Sequence, residues 1–322
     1  WNALVTIADQ HGLTFGSLWD TTAWIEKCNS EGKRVVGHAV TVPTDYQFQL
    51  IDFNLFDSDP DWRAVTIGTL EDKIKNMSDP ALRIPLKEKY NPKHTFFGAM
   101  AVNIDKLRYG EGDNIDVHNK YEGRVIEEIA ETENKHPIDV FLDISISENL
   151  SSRWVTPPQE IDMEGMARLA NHPFSIPGLS DGGAHMKFLT AGIYPTYFLG
   201  TLCRDNSVMS LEKAHWKLSA YPAQVAGIKD RGHLTEGYAA DVVIYDLDEL
   251  DYMPMERVQD FPADDWRLVQ RPKGYKYIIV NGVVTFTDDS KCTGETPGRF
   301  LRNGVASAPP VKIVKEDNKD VA

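Results

Sequence analysis

Pro177-Gly-Leu-Ser-Asp-Gly-Gly-Ala-His185 follows a short apolar run, Phe174-Ser-Ile176, that reads as a strand ending at an acid, Asp181. Two glycines come next, then His185, and a helical-looking segment starts at Met186. α/β enzymes place catalytic groups at the carboxyl ends of strands, in turns that glycine keeps open. Gly182 and Gly183 allow backbone angles that other residues resist and let a ligand come close. An Asp in this setting also suits a plain helix cap, so the flanking sequence has to decide between chemistry and capping.

Upstream, apolar residues at Leu4, Val5 and Ala8 predict a helix over 1–10, and 13–18 reads as a strand. A helix is predicted over 21–30, with Asp20 as its N-cap and Gly32 as its stop. Arg34-Val-Val-Gly-His-Ala-Val-Thr-Val42 is nearly all apolar, as a strand covered on both faces should be. Strand, helix and strand at this spacing form a βαβ unit and imply a parallel sheet. Residues 43–68 look irregular, with Tyr46, Phe48, Phe53, Phe56 and Trp62 among several acids, and read as a substrate-facing loop. Helical pieces follow at 69–76 and 81–89, split by Asp79-Pro80. A strand is expected over 95–102, helices over 121–132 and 163–171, and a segment leaning to helix over 137–146. Beyond the opening stretch, helices are expected at 194–204 and 210–219.

From Gly232 the texture changes. Gly237 to Tyr245 reads as a strand entered through a glycine turn, and Asn281-Gly282 sits between two β-branched runs, a two-residue hairpin signal. This is a small β module. The stretch from Val305 to Ala322 is rich in Pro, Lys and Asp and reads as disordered.

The formal charge of -14 argues against nucleic acid, whose phosphates need Lys and Arg, and against anionic membrane surfaces. No apolar run approaches membrane-spanning length. Cys28, Cys203 and Cys292 lie far apart with no CxxC pair, so a disulfide framework and a zinc knuckle are not expected, and a cytoplasmic setting is the default. The sequence opens Trp1-Asn-Ala-Leu without Met and reads as the interior of a longer chain.

Three stretches carry a family resemblance. They are Ser180-Asp-Gly-Gly-Ala-His185, the run from Tyr221-Pro-Ala-Gln-Val-Ala-Gly227 through Ala240-Asp241 to Asp246, and Ile279-Val-Asn-Gly-Val-Val284 with Thr293-Gly-Glu-Thr-Pro-Gly-Arg299 after it. Together they resemble the amidohydrolase superfamily, in its N-acyl-D-amino-acid deacylase (D-aminoacylase-like) branch. Trp24, Glu31-Gly-Lys-Arg-Val-Val-Gly-His38, Trp62-Arg63 and Ser78-Asp-Pro-Ala-Leu-Arg83 fit the same branch. The resemblance implies the α/β class: a metal-dependent hydrolase (β/α)8 TIM barrel, of which this chain carries the later strands, with a small β-sandwich module. The implied division is 1–225 for the barrel, 226–304 for the β module and 305–322 for the tail.

The resemblance further implies one or two divalent metal ions, usually zinc, and a small-molecule amide substrate. Asp181 matches the acid that holds or faces the metal-bound water and takes its proton; such a water becomes nucleophilic once a carboxylate removes that proton. His185 is a candidate for substrate contact or for support of the metal site, and His38 is a weaker candidate. Lys187, Tyr194 and Arg204 are placed to meet a substrate carboxylate, and Asp241 is expected to hold a turn. One departure is large. The superfamily's first strand carries two histidines one residue apart, and no two of the nine histidines here are so spaced. Two further readings follow: a non-catalytic or split-barrel subunit that lacks its missing N-terminal half or works as an oligomer, and a cyclic amidase of hydantoinase type.

Overall fold

The computed structural model describes residues 3–5, 18–43, 46–52, 54–91, 103–157, 162–178, 180, 186–289 and 291–301. The chain begins with strand β1 (Ala3–Val5), helix α1 (Leu18–Ser30) and strand β2 (Gly37–Val40). β1 and β2 pair in parallel, Leu4 opposite Ala39, so a βαβ unit is present, but its entering strand is Ala3–Val5 and not the one expected over 13–18, of which 13–17 lie outside the described residues and Leu18 begins α1. The entering strand is the surprise. The helix expected over 1–10 is overturned, because Ala3–Val5 is extended; three apolar residues fit either element, and pairing with β2 decides. Asp20, expected as the N-cap, lies inside α1.

Residues 46–155 build a separate packed lobe. Strand β3 (Gln47–Phe48) leads to a 3-10 turn at Leu55–Ser58 and helices α2 (Pro60–Thr66), α3 (Leu70–Ser78) and α4 (Pro80–Glu88). Asp79 ends α3 and caps α4, with Pro80 at the first helical position, where its missing N–H costs nothing. Strand β4 (Arg108–Glu111), helices α5 (Ile115–Tyr121), α6 (Ile126–Glu133) and α7 (Pro137–Ser147), and strand β5 (Arg153–Val155) complete it. The sheet order is β3-β5-β4. The helix expected over 121–132 is broken at Gly123, which has φ 72°.

Three of the aromatic residues expected in a substrate-facing loop are core residues instead, while Phe53 lies outside the described residues. Phe48, Phe56 and Trp62 are at most 2 % exposed and form this lobe's core with Phe141 and Trp154. Phe56 lies 4.5 Å from Trp62, and Phe141 lies 5.1 Å from Trp154, ring centre to ring centre. An aromatic run without helical period reads like a loop until its partners, here on α7 and β5, are known.

Glu148, only 3 % exposed, ties the lobe's edge. Its carboxylate accepts from the Tyr109 hydroxyl at 2.9 Å, the Asn114 backbone N–H at 3.2 Å and the Ser152 hydroxyl. Gly112 makes this possible, since a methyl group there would fall on that carboxylate. Gly112→Ala is therefore expected to lower stability by about 2–4 kcal/mol, as overpacking that also displaces a buried charge. A urea midpoint equal to that of the parent would contradict this account of Glu148.

Helix α8 (Met163–Asn171) then leads into strand β6 (Ser175–Gly178), which pairs in parallel with β2, giving the order β1-β2-β6. Ala39 packs with Ile25 of α1 and Leu169 of α8. One face of β2 thus carries the helices, and the alternation of a strand turns His38 and Val40 to the other face. Helix α9 (Tyr194–Tyr197) runs on as a wide π turn, Phe198–Asp205. Helix α10 (Leu211–His215), a second π turn at Trp216–Ala220 and helix α11 (Tyr221–Ala226) follow. No helix among the described residues is long and apolar enough to cross a membrane.

The β module holds β7 (Val242–Tyr245), β8 (Asp251–Tyr252), β9 (Glu256–Phe261), β10 (Asp265–Val269), β11 (Pro272–Lys273), β12 (Tyr275–Val280), β13 (Val283–Thr287) and β14 (Lys291–Cys292). They form a four-stranded sheet, β14-β13-β12-β7, and two ribbons, β9–β10 and β8–β11. Asn281 and Gly282 both take positive φ, 48° and 82°, as a two-residue hairpin of this kind requires. Asp241 braces that turn: it accepts from the Asn281 N–H at 2.8 Å and pairs with Arg231, which donates to Asn281 Oδ1 at 2.7 Å. Its predicted part in a turn contact is thus what the structure shows.

Candidate functional site

β2 and β6 run the same way, so their carboxyl ends meet, with Val40 opposite Gly178. Just beyond β6 the Ser180 carbonyl accepts the Ala191 N–H at 2.9 Å. Asp181 and His185 lie outside the described residues, as do Gly182, Gly183 and Ala184. Their flanks are placed. The Met186 carbonyl accepts from Leu268 N at 2.8 Å, and the Phe188 carbonyl accepts from Gln47 N at 2.7 Å. The segment after His185 is therefore fixed between the β module and the 46–155 lobe.

His38 is the described candidate. It sits on the face of β2 turned away from the helices, with its ring against the end of β6. A Cβ added at Gly178 would stand 3.3 Å from His38 Nδ1, so the glycine leaves room for the imidazole. Burial pushes the His38 pKa down, which favours the neutral ring that a metal or a proton can use. One imidazole is not a metal centre. Among the described residues no group of three or more His, Cys, Asp or Glu side chains could hold an ion. The described side chains alone do not make a complete metal site.

Other histidines have local partners. His172 faces Glu26 at 3.1 Å, His215 meets the Tyr245 hydroxyl at 2.7 Å, and His136 caps α7. The three groups offered for a substrate carboxylate are placed otherwise. Arg204 donates to the carbonyls of Leu247 at 2.8 Å and Leu250 at 2.9 Å, clamping the π turn to the β module. Tyr194 packs against the second hydrophobic core, and burial raises its pKa. Lys187 is held by Asp265 at 2.9 Å and faces Asp52 at 3.7 Å.

Lys187 also lines a cavity of about 290 Å³ beside the 186–188 turn, together with Asp52, Glu111, Asp113, Arg257 and Trp266. These residues come from the 46–155 lobe and the β9–β10 ribbon. Of the whole lining, Gln49, Ile51 and Asp52 lie in the acidic loop that the sequence singles out. The others sit on segments far apart in the chain, and nothing in their spacing marks them as neighbours.

A model of the amidohydrolase family matches residues 15–286. The chain is 34% identical over 117 residues to the N-acyl-D-glutamate deacylase of Alcaligenes xylosoxydans xylosoxydans, a stretch covering 35% of this chain and 22% of that one. It is 30% identical over 129 residues to the D-aminoacylase of the same organism, covering 39% and 25%. A crystal structure of D-aminoacylase superposes with a TM-score of 0.46 at 18% identity, covering 91% of this chain and 48% of that chain. The N-acyl-D-glutamate deacylase of Bordetella bronchiseptica, solved with zinc and a phosphonate inhibitor, gives 0.46 at 20% identity, covering 90% and 48%. The chain thus spans about half the length of these solved relatives.

Proposed function

The chain belongs to the amidohydrolase family, and from this we propose that it serves in the hydrolysis of C–N bonds in linear amides, with N-acyl amino acids as the first candidates. The observation that carries the proposal is a family match that takes in the parallel strand ends of β2 and β6 and the sequence stretch 180–185 that follows them. The names of the deacylases it resembles support the substrate class. In this reading β1, β2 and β6 are the later strands of a (β/α)8 barrel, and the β module from about residue 226 is part of a sandwich. Asp181 is the carboxylate that takes a proton from the attacking water. A divalent metal, zinc by preference, is part of the proposal, with donors to be found beyond the described residues. His185 and His38 are assigned to the surroundings of that site.

A second reading is favoured by the lack of a donor group of three or more among the described residues: the chain binds without chemistry, or completes a site shared with another polypeptide. A panel of N-acyl-D- and N-acyl-L-amino acids and a hydantoin, assayed with and without a chelator, separates the readings. Hydrolysis of linear amides that stops on chelation and returns with zinc is the expected result. Turnover of the hydantoin alone would establish the cyclic-amidase reading instead. A folded, zinc-supplied protein with no turnover of any member would sink the hydrolase proposal.

A further inference from the structure

The cavity beside Lys187 goes beyond the hydrolase reading. Most of its charges have partners. Lys187 lies with Asp265 and Asp52. Glu111 pairs with Arg153 at 3.0 Å. Two lining groups of opposite sign remain, Arg257 and Asp113, whose side chains make no hydrogen bond or salt bridge with another described residue. The Arg257 guanidinium lies over the Trp266 ring, 4.4 Å from its centre. Stacking of this kind fixes the plane of the fork and leaves its N–H edges free to meet a carboxylate two bonds at a time. Arg153 stands close enough that the Arg257 charge helps to lower its pKa, after burial as the larger cause. The Asp265 carboxylate is also near: its pKa is lowered by Lys187 as the larger cause and by Arg257 as a smaller one, so the cavity offers charges of both signs. The volume, about 290 Å³, lies at the small end of ligand pockets and suits a molecule of a few heavy atoms.

We propose that this cavity binds a small zwitterion of the α-amino-acid type, with its carboxylate on Arg257, its ammonium on Asp113 and its side chain towards Trp266. A carboxylate alone would leave Asp113 unanswered, and an ammonium alone would leave Arg257 so. Free amino acid is also what hydrolysis of an N-acyl amino acid releases; that link, and it alone, rests on the hydrolase reading.

The test is calorimetric titration of the full chain with D- and L-alanine, with propionate as the anion-only probe and ethylamine as the cation-only probe. Alanine should bind saturably and more tightly than either fragment. Arg257→Gln and Asp113→Asn should each weaken it by about tenfold or more, the value of one charge-assisted contact. Both positions are exposed, so the fold should survive, and circular dichroism checks it. Asp181→Asn should bind alanine as the parent does, which separates this site from the fate of the hydrolase reading. Absence of saturable alanine binding, or binding indifferent to both substitutions, overturns the proposal. Propionate binding as tight as alanine, with Asp113→Asn silent, overturns the dipolar assignment as well.

Discussion

Asp181→Asn should reduce kcat/KM for the preferred amide by about a thousandfold, within the range that a positioned general base contributes, and leave the melting temperature near that of the parent. The substitution keeps the volume and hydrogen-bonding reach of the side chain and removes only its ability to take a proton. The backbone around it has independent anchors. The Ser180 carbonyl is held by Ala191, Met186 by Leu268 and Phe188 by Gln47, so the flanks keep their contacts whichever residue stands at 181. His185→Ala should cost far less, because its proposed part is support rather than proton transfer. Full activity in Asp181→Asn would remove the carboxylate from the mechanism. Loss of activity together with unfolding would show it to be a capping residue, the alternative its sequence setting always allowed.

The elements that the sequence made legible are those whose cause is local. Asp79-Pro80 splits two helices because proline starts one and aspartate caps it. Asn281-Gly282 makes a hairpin because both residues tolerate positive φ. Met163–Asn171 is a helix with one apolar face, and its bounds follow from that face. What failed depended on distant partners. Ala3–Val5 is a strand only because β2 lies beside it. Phe48, Phe56 and Trp62 look like loop aromatics until Phe141 and Trp154 close over them. Arg204 looked available for a substrate because its three carbonyl partners lie more than forty positions on, at 247, 248 and 250. The candidate site divides in the same way. His38 could be picked out from its strand, and its room against β6 comes from Gly178. The charged cavity could not be picked out, since its walls belong to two units of the chain.

Lys217→Met should destabilise the described fold by about 2–4 kcal/mol at neutral pH. Lys217 is 0 % exposed, yet no carboxylate pairs with it among its described contacts. Its ammonium instead donates to three oxygens at the entry to β6: the His172 carbonyl, the Ser175 carbonyl at 2.7 Å and the Ser175 hydroxyl at 3.3 Å. Methionine fills the volume but removes this donor from all three oxygens; the His172 carbonyl keeps the Ser175 N–H at 3.2 Å, while the link between the second π turn and the strand that carries the candidate site is lost. Burial, with Lys213 nearby as the smaller cause, pushes the Lys217 pKa down to about 8. The sign follows. Between about 8 and the ordinary lysine value of 10.5 the unfolded chain binds more protons than the folded one, so stability rises with pH. The penalty of the buried charge is fully present below that window. The gap in urea unfolding free energy between parent and Lys217→Met should therefore widen from pH 8 towards pH 10, by at most about 1.4 kcal/mol per unit. Tyrosine ionisation is common to both proteins and cancels in the difference. A gap that stays flat across the window would mean that the three acceptors hold the ammonium against burial. No gap at any pH would mean that this clamp does not secure β6.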